Sequence, residues 1–414
     1  MIASHRATVV VFFSIVAVIL TIQSLRLHGV PAIRHVGNQL SSEGLADVLN
    51  STLGFQKIFV INLPERTDRR DAMTLAAALT NLQITWAKGI RGSDVPDKVI
   101  PGEDWEKSIL RGNKGSWRAH MNVLNTIVNQ NLSSALILED DADWDIRLKS
   151  QMQIFARAAQ PFAQHFQLTS RLAAQDKVTN LPITSLLPSP DLSTPYGSKW
   201  DVLWLGHCGT NLPTPNTLNT LPTNTSLLRV VIPDDPTVPR PEHLKPHPFA
   251  LQDHLAELYP PHTRVVHPSS GTICTQAYAV SQQGARKLLW RFGVKEALTK
   301  GWDLVLGEWC DGLYFERSEK EQRERQWKGN EGKHKEGKGR WEDKEQQPPV
   351  CVTVQPPLFS HHYGKGAASD ITAPGGGFVN KEKEMTPYVR WSVRLNMGRL
   401  VEGGEVRDQW PGDD

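Results

Sequence analysis

The chain has 414 residues and a mass of 46.3 kDa, enough for two or three domains of ordinary size or for one large domain with insertions. Its 46 lysines and arginines nearly balance its 44 aspartates and glutamates, which argues against a nucleic-acid-binding protein, since those usually carry a concentrated basic excess. Its four cysteines are too few for a disulfide-rich scaffold, and because none forms a CxxC pair they argue against a structural zinc knuckle.

The N-terminus predicts a membrane anchor. Residues 7–22 form an apolar run that follows Arg6, a little shorter than the ~20 residues of a usual membrane span. No small-x-small cleavage site follows it, so we expect an uncleaved signal anchor rather than a cleaved signal peptide or a buried core helix. Residues 1–6 would then be a cytosolic tail and residues 23–54 a stem, in a single-pass type II protein of the Golgi or ER membrane whose catalytic domain is lumenal.

A lumenal location agrees with two other features of the sequence. Three N-glycosylation sequons occur, at Asn50, Asn131 and Asn224. In an oxidising lumen the cysteines could form disulfides, Cys208 with Cys274 and Cys310 with Cys351, although the sequence leaves free buried thiols open as an alternative.

Strands and helices alternate from residue 57 onward, which predicts an α/β sheet with mainly parallel strands. Strands are recognised as short β-branched or aromatic runs, and helices as longer segments with apolar residues at helical spacing. The predicted strands cover 57–63, 83–87, 135–138, 201–206, 275–280 and 350–354, and the predicted helices 66–80, 117–131, 281–289 and 302–309.

Two stretches interrupt this alternation. Residues 182–268 hold 16 of the 28 prolines, which predicts a long irregular excursion with one short helix at 251–259. Residues 316–347 carry 10 basic and 9 acidic residues in 32 positions and no Ile, Leu, Val or Phe. Such a composition buries too little apolar surface to order itself, so we interpret this segment as a solvated, disordered insertion, with a charged docking strip as the alternative.

The strongest chemical signal is ALILEDDAD, residues 135–143, in which a buried strand ends in carboxylates. Open α/β sheets bind ligands at the carboxyl ends of their strands. Clustered carboxylates repel one another unless a cation neutralises them, and hard oxygen ligands suit Mg²⁺ or Mn²⁺. Asp141 and Asp143 form a DxD pair. The alternative is an ordinary acidic turn whose carboxylates are solvated.

Three weaker motifs accompany this one. INLPERTDRR, residues 61–70, joins the first strand to the first helix and would suit an anion such as a diphosphate. GSWRAH, residues 115–120, opens a second helix and could face a nucleotide. His361 and His362 follow the last strand and could complete a metal site. Each motif also has a purely structural interpretation, as a helix start, a capped core helix or exposed histidines.

Taken in order, these segments resemble glycosyltransferase family 25, the group of bacterial lipooligosaccharide glycosyltransferases and collagen galactosyltransferases, and most of all its fungal branch. The resemblance rests on FVINLPERTDRR, GSWRAHMNVL, SALILEDDADWD, DVLWLGHCG, CTQAYAVSQQGARKLL and CVTVQPPLFSHH. It implies a GT-A-like, Rossmann-like nucleotide-sugar-binding α/β domain over 55–364, with helices on both faces of the sheet. Residues 365–414 would then be a C-terminal tail.

The resemblance also implies an inverting hexosyltransferase that moves galactose or another hexose from a UDP-sugar, with Mn²⁺ or Mg²⁺, to a glycan or glycoprotein acceptor. Two departures from the family pattern are Ser116, where Cys is frequent, and Ala119, where Ser is frequent. Carried over by position, the donor-binding residues are Asn62, Arg66, Arg70, His120, Glu139, Asp140, Thr275 and Tyr278, with Ala277 and Gly284 beside them.

The expected mechanism assigns a metal and a base. The metal would be held by Asp141, with Asp143 or Asp140 and with His361 or His362. The catalytic base that takes the acceptor proton would be Asp303, with Asp311 as second candidate and Glu308 as a third. Trp302 is the candidate for stacking on an acceptor sugar, and core packing is its alternative role.

Three other functions compete with this one. The nearest is a non-catalytic lumenal protein that binds a glycan or a partner on the same fold. A metal-dependent phosphoesterase or nucleotidyltransferase would need further metal ligands at several strand ends. A membrane-anchored interaction protein would leave the ordered strand-end motifs unexplained.

Overall fold

The computed structural model describes residues 47–102, 109–164, 178–186, 194–214, 227–244, 254–314, 349–364 and 384–413. The predicted anchor at 7–22, most of the predicted stem and the predicted charged insertion at 316–347 lie outside these ranges. Within them, no helix is long and apolar enough to cross a membrane. The described end of the stem belongs to the core, because Val48 and Leu53 are fully buried.

Within the described ranges, eleven strands form one sheet in the order β2-β1-β3-β9-β6-β10-β8-β7-β5, with β11 pairing β4 and β6. The prediction of mainly parallel strands holds for β1, β2, β3, β6 and β10, which run in one direction; β9, however, runs antiparallel to both β3 and β6, and β8 antiparallel to β10 and β7. The sequence does not reveal these two directions, because a central strand is buried on both faces whichever way it runs, so its pattern hides its direction. The strands are β1 Lys57–Asn62, β2 Ile84–Lys88, β3 Ser134–Glu139, β4 Ala142–Trp144, β5 Thr179–Pro182, β6 Val202–Gly206, β7 Leu228–Ile232, β8 Arg264–Pro268, β9 Ala277–Ser281, β10 Cys351–Gln355 and β11 Phe359–His361.

Helices cover both faces of the sheet, as predicted. Alternate strand residues point to opposite faces, so that Ile58 and Val60 pack with α1 and α3 while Phe59 packs with α2. The face covered by α2 is also covered by α5 and α6, because their residues Leu288 and Val305 belong to the same apolar cluster as Phe59. The α-helices are α1 Thr67–Leu79, α2 Arg111–Asn129, α3 Leu148–Gln164, α4 Leu255–Leu258, α5 Gln282–Leu288, α6 Trp302–Cys310 and α7 Met397–Glu402, and a π-helical stretch Leu289–Lys295 continues α5.

Part of the proline-rich excursion is regular rather than irregular. Its described residues contribute β7 and β8 to the sheet, together with the short helix α4, and build a third apolar cluster around Val238 and Leu255. Pro182 and Pro268 each end a strand, where the missing backbone N–H costs no ladder hydrogen bond. Proline content therefore marked the ends of strands here, not their absence.

The segment 384–413 packs on the domain and is not a tail. Val393 and Ser392 are fully buried, and Asp145 forms an isolated β-bridge with Ser392. Both candidate disulfides are formed, Cys208 with Cys274 and Cys310 with Cys351, so the chain has no free cysteine.

Candidate active site

A cleft of about 390 Å³ opens at the carboxyl ends of β1, β2 and β3, beside the first turns of α2. Parallel strands bring the residues that follow them to one edge of the sheet, which explains why motifs far apart in sequence meet here. The lining residues are Ile61, Leu63, Glu65, Arg69, Gly89, Ile90, Arg91, Gly92, Ser93, Arg111, Gly112, Gly115, Ser116, Ala119, His120, Glu139, Asp140 and Asp141.

Glycine at position 115 lets α2 rest directly on the loop that follows β2. A Cβ atom there would lie 2.2 Å from the carbonyl oxygen of Ile90 and 2.8 Å from the backbone nitrogen of Gly92. No side chain fits into that space. The GSWRAH motif therefore sets the width of the cleft, in addition to supplying Ser116 and His120 to its wall.

The acidic turn after β3 is tied to the loop after β1. Asn62 Nδ2 donates to Asp140 Oδ2 over 2.8 Å, and Arg69 Nη1 lies 2.8 Å from both Asp140 Oδ1 and Asp141 Oδ2. Burial raises the pKa of Asp140, and Asp141 beside it adds to that shift. Burial would also raise the pKa of Asp141, but the positive charges of His361 and Arg69 outweigh it and hold that pKa below its usual range.

Glu139 begins a chain of polar contacts that runs into the core. Its Oε1 accepts from Thr275 Oγ1 over 2.6 Å and lies 3.9 Å from His120 Nε2. His120 Nδ1 lies 2.9 Å from the Tyr278 hydroxyl, to which the Trp302 indole N–H donates over 3.3 Å. Burial lowers the pKa of His120 to about 3, so that its ring is neutral, while burial and Asp141 raise the pKa of Glu139 to about 8. Trp302 is buried in the core, 1% exposed, which matches its alternative role.

Asp143 points away from the cleft although it belongs to the DxD pair. It is fully buried, and its oxygens accept from Thr386 Oγ1, Ser392 Oγ and the backbone N–H groups of Trp144 and Arg394. These four bonds occupy it as a structural anchor. His362 lies behind the acidic turn too, with its Nδ1 3.1 Å from Thr386 Oγ1.

The side chain of Arg394 crosses back to the acidic turn from the C-terminal segment. Its Nη2 donates to the Asp140 carbonyl over 2.7 Å and its Nε to the Ala142 carbonyl over 3.0 Å. Together with the bonds to Asp143, these contacts hold the turn from behind. We refer to residues 386–394 as the C-terminal clamp.

The residues of the cleft suit a divalent cation bound together with a phosphate group. Asp141 Oδ1, Asn62 Oδ1 and His361 Nδ1 are buried and have no hydrogen-bond partner within the described parts of the chain, and His361 Nε2 lies 3.2 Å from Asp141 Oδ2. Mg²⁺ and Mn²⁺ commonly use one or two carboxylates and complete their coordination with substrate phosphates and water. Among the described residues, three ligands gather within 4.8 Å only at Glu242, His243 and Asp413, which do not line this cleft.

The two candidate bases hold the loop that precedes β9. Asp303 Oδ2 accepts from the backbone N–H of Cys274 over 3.0 Å, and both Asp311 oxygens accept from that of Gly271 over 3.1 Å. Cys274 has a φ of 65°, rare for a residue other than glycine, and is also held by its disulfide. Asp303 lies close enough to Glu139 to help raise its pKa, and burial raises the pKa of Asp311 to about 6.

The remaining predicted residues stand outside the acidic cluster. Arg66 pairs with Asp68 over 2.7 Å, and Arg70 stacks over the Trp86 ring with its guanidinium 4.4 Å from the centroid. Glu308, the third candidate base, pairs with Lys300 and accepts from Tyr314.

Sequence reasoning missed Arg69 and Arg394. The buried stripe of α1 extends back through positions 69 and 70 alike, so helical periodicity cannot choose between these two arginines. Arg394 sits beyond every recognisable motif, and no signal in the sequence places it here.

Comparison with known proteins places residues 55–211 in a family model described as glycosyltransferase family 25 (LPS biosynthesis protein). The chain is similar to procollagen galactosyltransferase 1 of Danio rerio, 32% identical over 112 residues that make up 24% of this chain and 18% of that protein. It is also similar to procollagen galactosyltransferase 2 of Homo sapiens, 23% identical over 111 residues with the same coverage. A glycosyltransferase 25 family member of Anopheles gambiae is 29% identical over 111 residues, 24% of this chain and 19% of that protein. The chain thus matches less than a fifth of the length of these relatives.

Proposed function

We propose that the chain is a glycosyltransferase of family 25, whose family model its residues 55–211 match, and that it transfers a hexose, with galactose as first candidate, from a UDP-sugar to a glycan or glycoprotein acceptor. The observation that carries this proposal is the cleft that Glu139, Asp140 and Asp141 line together with the basic residues Arg69 and Arg91. An acidic edge beside a basic one suits a cation and the diphosphate that the cation neutralises. We also propose that the domain is of the GT-A-like type.

Asp141 would be the main cation ligand, through the Oδ1 atom that has no partner among the described residues, with Asp140 and His361 beside it. A bound Mn²⁺ or Mg²⁺ would stabilise the negative charge that develops on the leaving diphosphate. Asp143 and His362 would instead hold the acidic turn in place from behind, without binding the cation. Arg91, in the loop after β2, also lines the cleft, where it pairs with Glu65, and would bind phosphate oxygens.

Within this function, Asp303 is the proposed base. In an inverting transfer the acceptor oxygen forms its bond to the anomeric carbon while the bond from that carbon to the diphosphate oxygen breaks, and the base takes the acceptor proton. Among the described residues Asp303 has one hydrogen bond, through Oδ2, whereas both oxygens of Asp311 bind Gly271. Asp303 does not line the cleft itself, but it lies close enough to Glu139, which does, to help raise the pKa of Glu139.

The proposed location is the lumen of the Golgi or ER, with residues 7–22 as a type II signal anchor. All four cysteines are paired in disulfides. Structural disulfides form in oxidising compartments and are rare in the cytosol. The pairing supports a lumenal domain.

The first test measures UDP-sugar binding and hydrolysis by the full chain, produced in a secretory host, with and without Mn²⁺. We expect one UDP-sugar to bind only with the cation, and Asp141→Ala to abolish that binding. Asp71→Ala is the matched control, because Asp71 is exposed on α1 and does not line the cleft.

A folded protein without cation-dependent donor binding, in which Asp141→Ala behaves like the parent, would overturn the proposal. That result would favour the alternative, a non-catalytic lumenal protein that binds a glycan or partner on this fold.

A further inference from the structure

Arg69 occupies the position between the two carboxylates of the acidic turn. A single guanidinium nitrogen, Nη1, lies 2.8 Å from Asp140 Oδ1 and 2.8 Å from Asp141 Oδ2. All three side chains are largely buried, with 14%, 9% and 13% of their surfaces exposed. Burial strengthens the attraction within such an ion pair, and it also makes either charge costly if its partner is removed.

A cation and Arg69 would share one small carboxylate. A divalent ion on the unpartnered Oδ1 of Asp141 would sit about 2.1 Å from that oxygen, while the guanidinium nitrogen of Arg69 holds Oδ2 of the same group. Two positive charges on one carboxylate repel each other strongly in a partly dry site. Entry of the cation at Asp141 therefore favours withdrawal of Arg69.

A diphosphate would give the withdrawn side chain a new partner. Arg69 lines the cleft and lies on the first helical turns of α1, after the INLPER loop, and guanidinium groups pair well with phosphate oxygens. A diphosphate that binds without a cation finds Arg69 already paired with Asp140 and Asp141, and these two carboxylates repel its negative charge.

We infer that Arg69 is an exchangeable counter-ion, which neutralises Asp140 and Asp141 until a cation and a nucleoside diphosphate bind together and then moves from the carboxylates to the diphosphate. Cation and donor thereby favour each other's binding, and by linkage the effect is equal in both directions. This inference rests on the proposed function of the cleft, and it adds the device that couples its two ligands.

The experiment compares the parent, Arg69→Gln, Arg69→Lys and Arg70→Gln, all in the full chain. Arg70→Gln is the matched control, because the neighbouring arginine stacks on Trp86 outside the cluster. Free Mn²⁺ is titrated by electron paramagnetic resonance without nucleotide. UDP is titrated by calorimetry with EDTA and again with saturating Mn²⁺.

We expect opposite changes in the two ligands. Arg69→Gln should bind Mn²⁺ alone about tenfold more tightly than the parent, bind UDP with Mn²⁺ about tenfold more weakly, and lose most of the coupling between the ligands, for which 5- to 150-fold is typical. Arg69→Lys keeps a positive charge and should change in the same directions but less. Arg70→Gln should match the parent.

Unchanged or weaker binding of Mn²⁺ alone by Arg69→Gln, with a thermal unfolding profile that shows a folded protein, would overturn the inference. If Arg69→Gln does not fold, the sign of the change in Arg69→Lys decides in its place. Failure of the proposed function would look different, because UDP would then bind none of the four proteins with Mn²⁺, whereas the Mn²⁺ titration would still report whether Arg69 competes with the cation.

Discussion

The two aspartates of the DxD pair lie back to back, and this gives them different roles. Asp141 faces the cleft and keeps an unpartnered oxygen, whereas Asp143 is fully buried and accepts four hydrogen bonds. Residues i and i+2 of a strand point to the same side, but Asp141 lies in the turn between β3 and β4 whereas Asp143 lies within β4, so the DxD spacing does not place both side chains on one side. The DxD spacing alone therefore overstates the number of ligands.

Paired substitutions should separate these roles. We expect Asp141→Asn to weaken Mn²⁺-dependent UDP binding at least tenfold with little change in stability. Asp143→Asn should lower the free energy of unfolding by about 1–3 kcal/mol, because a buried acceptor is replaced by an amide that cannot satisfy all its donors. Denaturant unfolding and calorimetry measure the two effects. Equal loss of stability in both variants would contradict the assignment.

Asp311 should make stability depend on pH. Burial raises the pKa of this carboxyl from 3.8 to about 6, so the folded protein binds its proton more tightly than the unfolded chain does. The free energy of unfolding contributed by Asp311 is then greatest below about pH 4 and is lost as pH rises to about 6. We expect Asp311→Asn to remove this fall, measured as the difference between parent and variant in urea unfolding at a series of pH values. A difference that does not vary with pH would contradict the prediction.

At the residue scale, the sequence predicts most of the acidic edge but not its basic counterpart. Glu139, Asp140, Asp141 and Thr275 lie where the motifs indicate, because strand ends converge on one edge of the sheet. The motif indicates Arg70, but one helical step of about 100° separates this exposed arginine, which stacks on Trp86, from Arg69, which pairs with the acidic turn. The apolar periodicity of a helix cannot decide which of two neighbouring arginines faces the acidic turn.

The C-terminal clamp gives an outer element control over the acidic turn. Residues 386–394 bind Asp143, and the guanidinium of Arg394 binds the carbonyl groups of Asp140 and Ala142. The family match ends at residue 211, so the clamp lies outside it. A turn held on both sides keeps its carboxylates in one orientation, which reduces the entropy lost when a ligand binds.

Removing the Arg394 side-chain contacts should weaken donor binding more than it weakens the fold. We expect Arg394→Gln to raise the UDP-sugar KM about tenfold, since the turn loses two hydrogen bonds and becomes mobile, while kcat changes less. Arg394→Lys should recover part of the loss, because an ammonium group can still donate to a carbonyl. Steady-state kinetics with variable donor would test this, and an unchanged KM in Arg394→Gln would show that the turn holds its shape alone.

At the element scale, the strands and helices of 57–164 follow their patterns, whereas the antiparallel direction of β8 and β9 and the final segment do not. The predicted helix 66–80 is α1, Thr67–Leu79, and the predicted strand 135–138 lies within β3. The clamp has no periodic apolar stripe, and besides the burial of Val393 it is held by polar contacts to residues some 250 positions earlier. Long-range polar contacts of this kind leave no local mark in a sequence.

Loss of either disulfide should lower stability, but only one of the two losses should also weaken donor binding. They close separations of 66 and 41 residues, and a native disulfide of this kind contributes about 2–5 kcal/mol. We expect Cys310→Ser with Cys351→Ser to lower stability by that amount without changing donor affinity. Cys208→Ser with Cys274→Ser should lower both stability and donor affinity. The reason is that the backbone N–H of Cys274 donates a hydrogen bond to Asp303, and Thr275, the next residue, donates one to Glu139. Thermal unfolding and UDP titration measure the two effects, and equal donor affinity in both double variants would contradict the prediction.

The Cys310–Cys351 bond also changes what a break in the polypeptide would mean. It joins the end of α6 to the start of β10, on either side of residues 315–348, and β10 lies between β6 and β8 in the sheet. A single cut within 315–348, at an inserted site for a specific protease, would yield a two-chain protein whose halves stay linked. Electrophoresis should show one band without reductant and two with it. The disulfide would thus keep the two ends of this segment together after the cut, whatever the length of chain between the two cysteines.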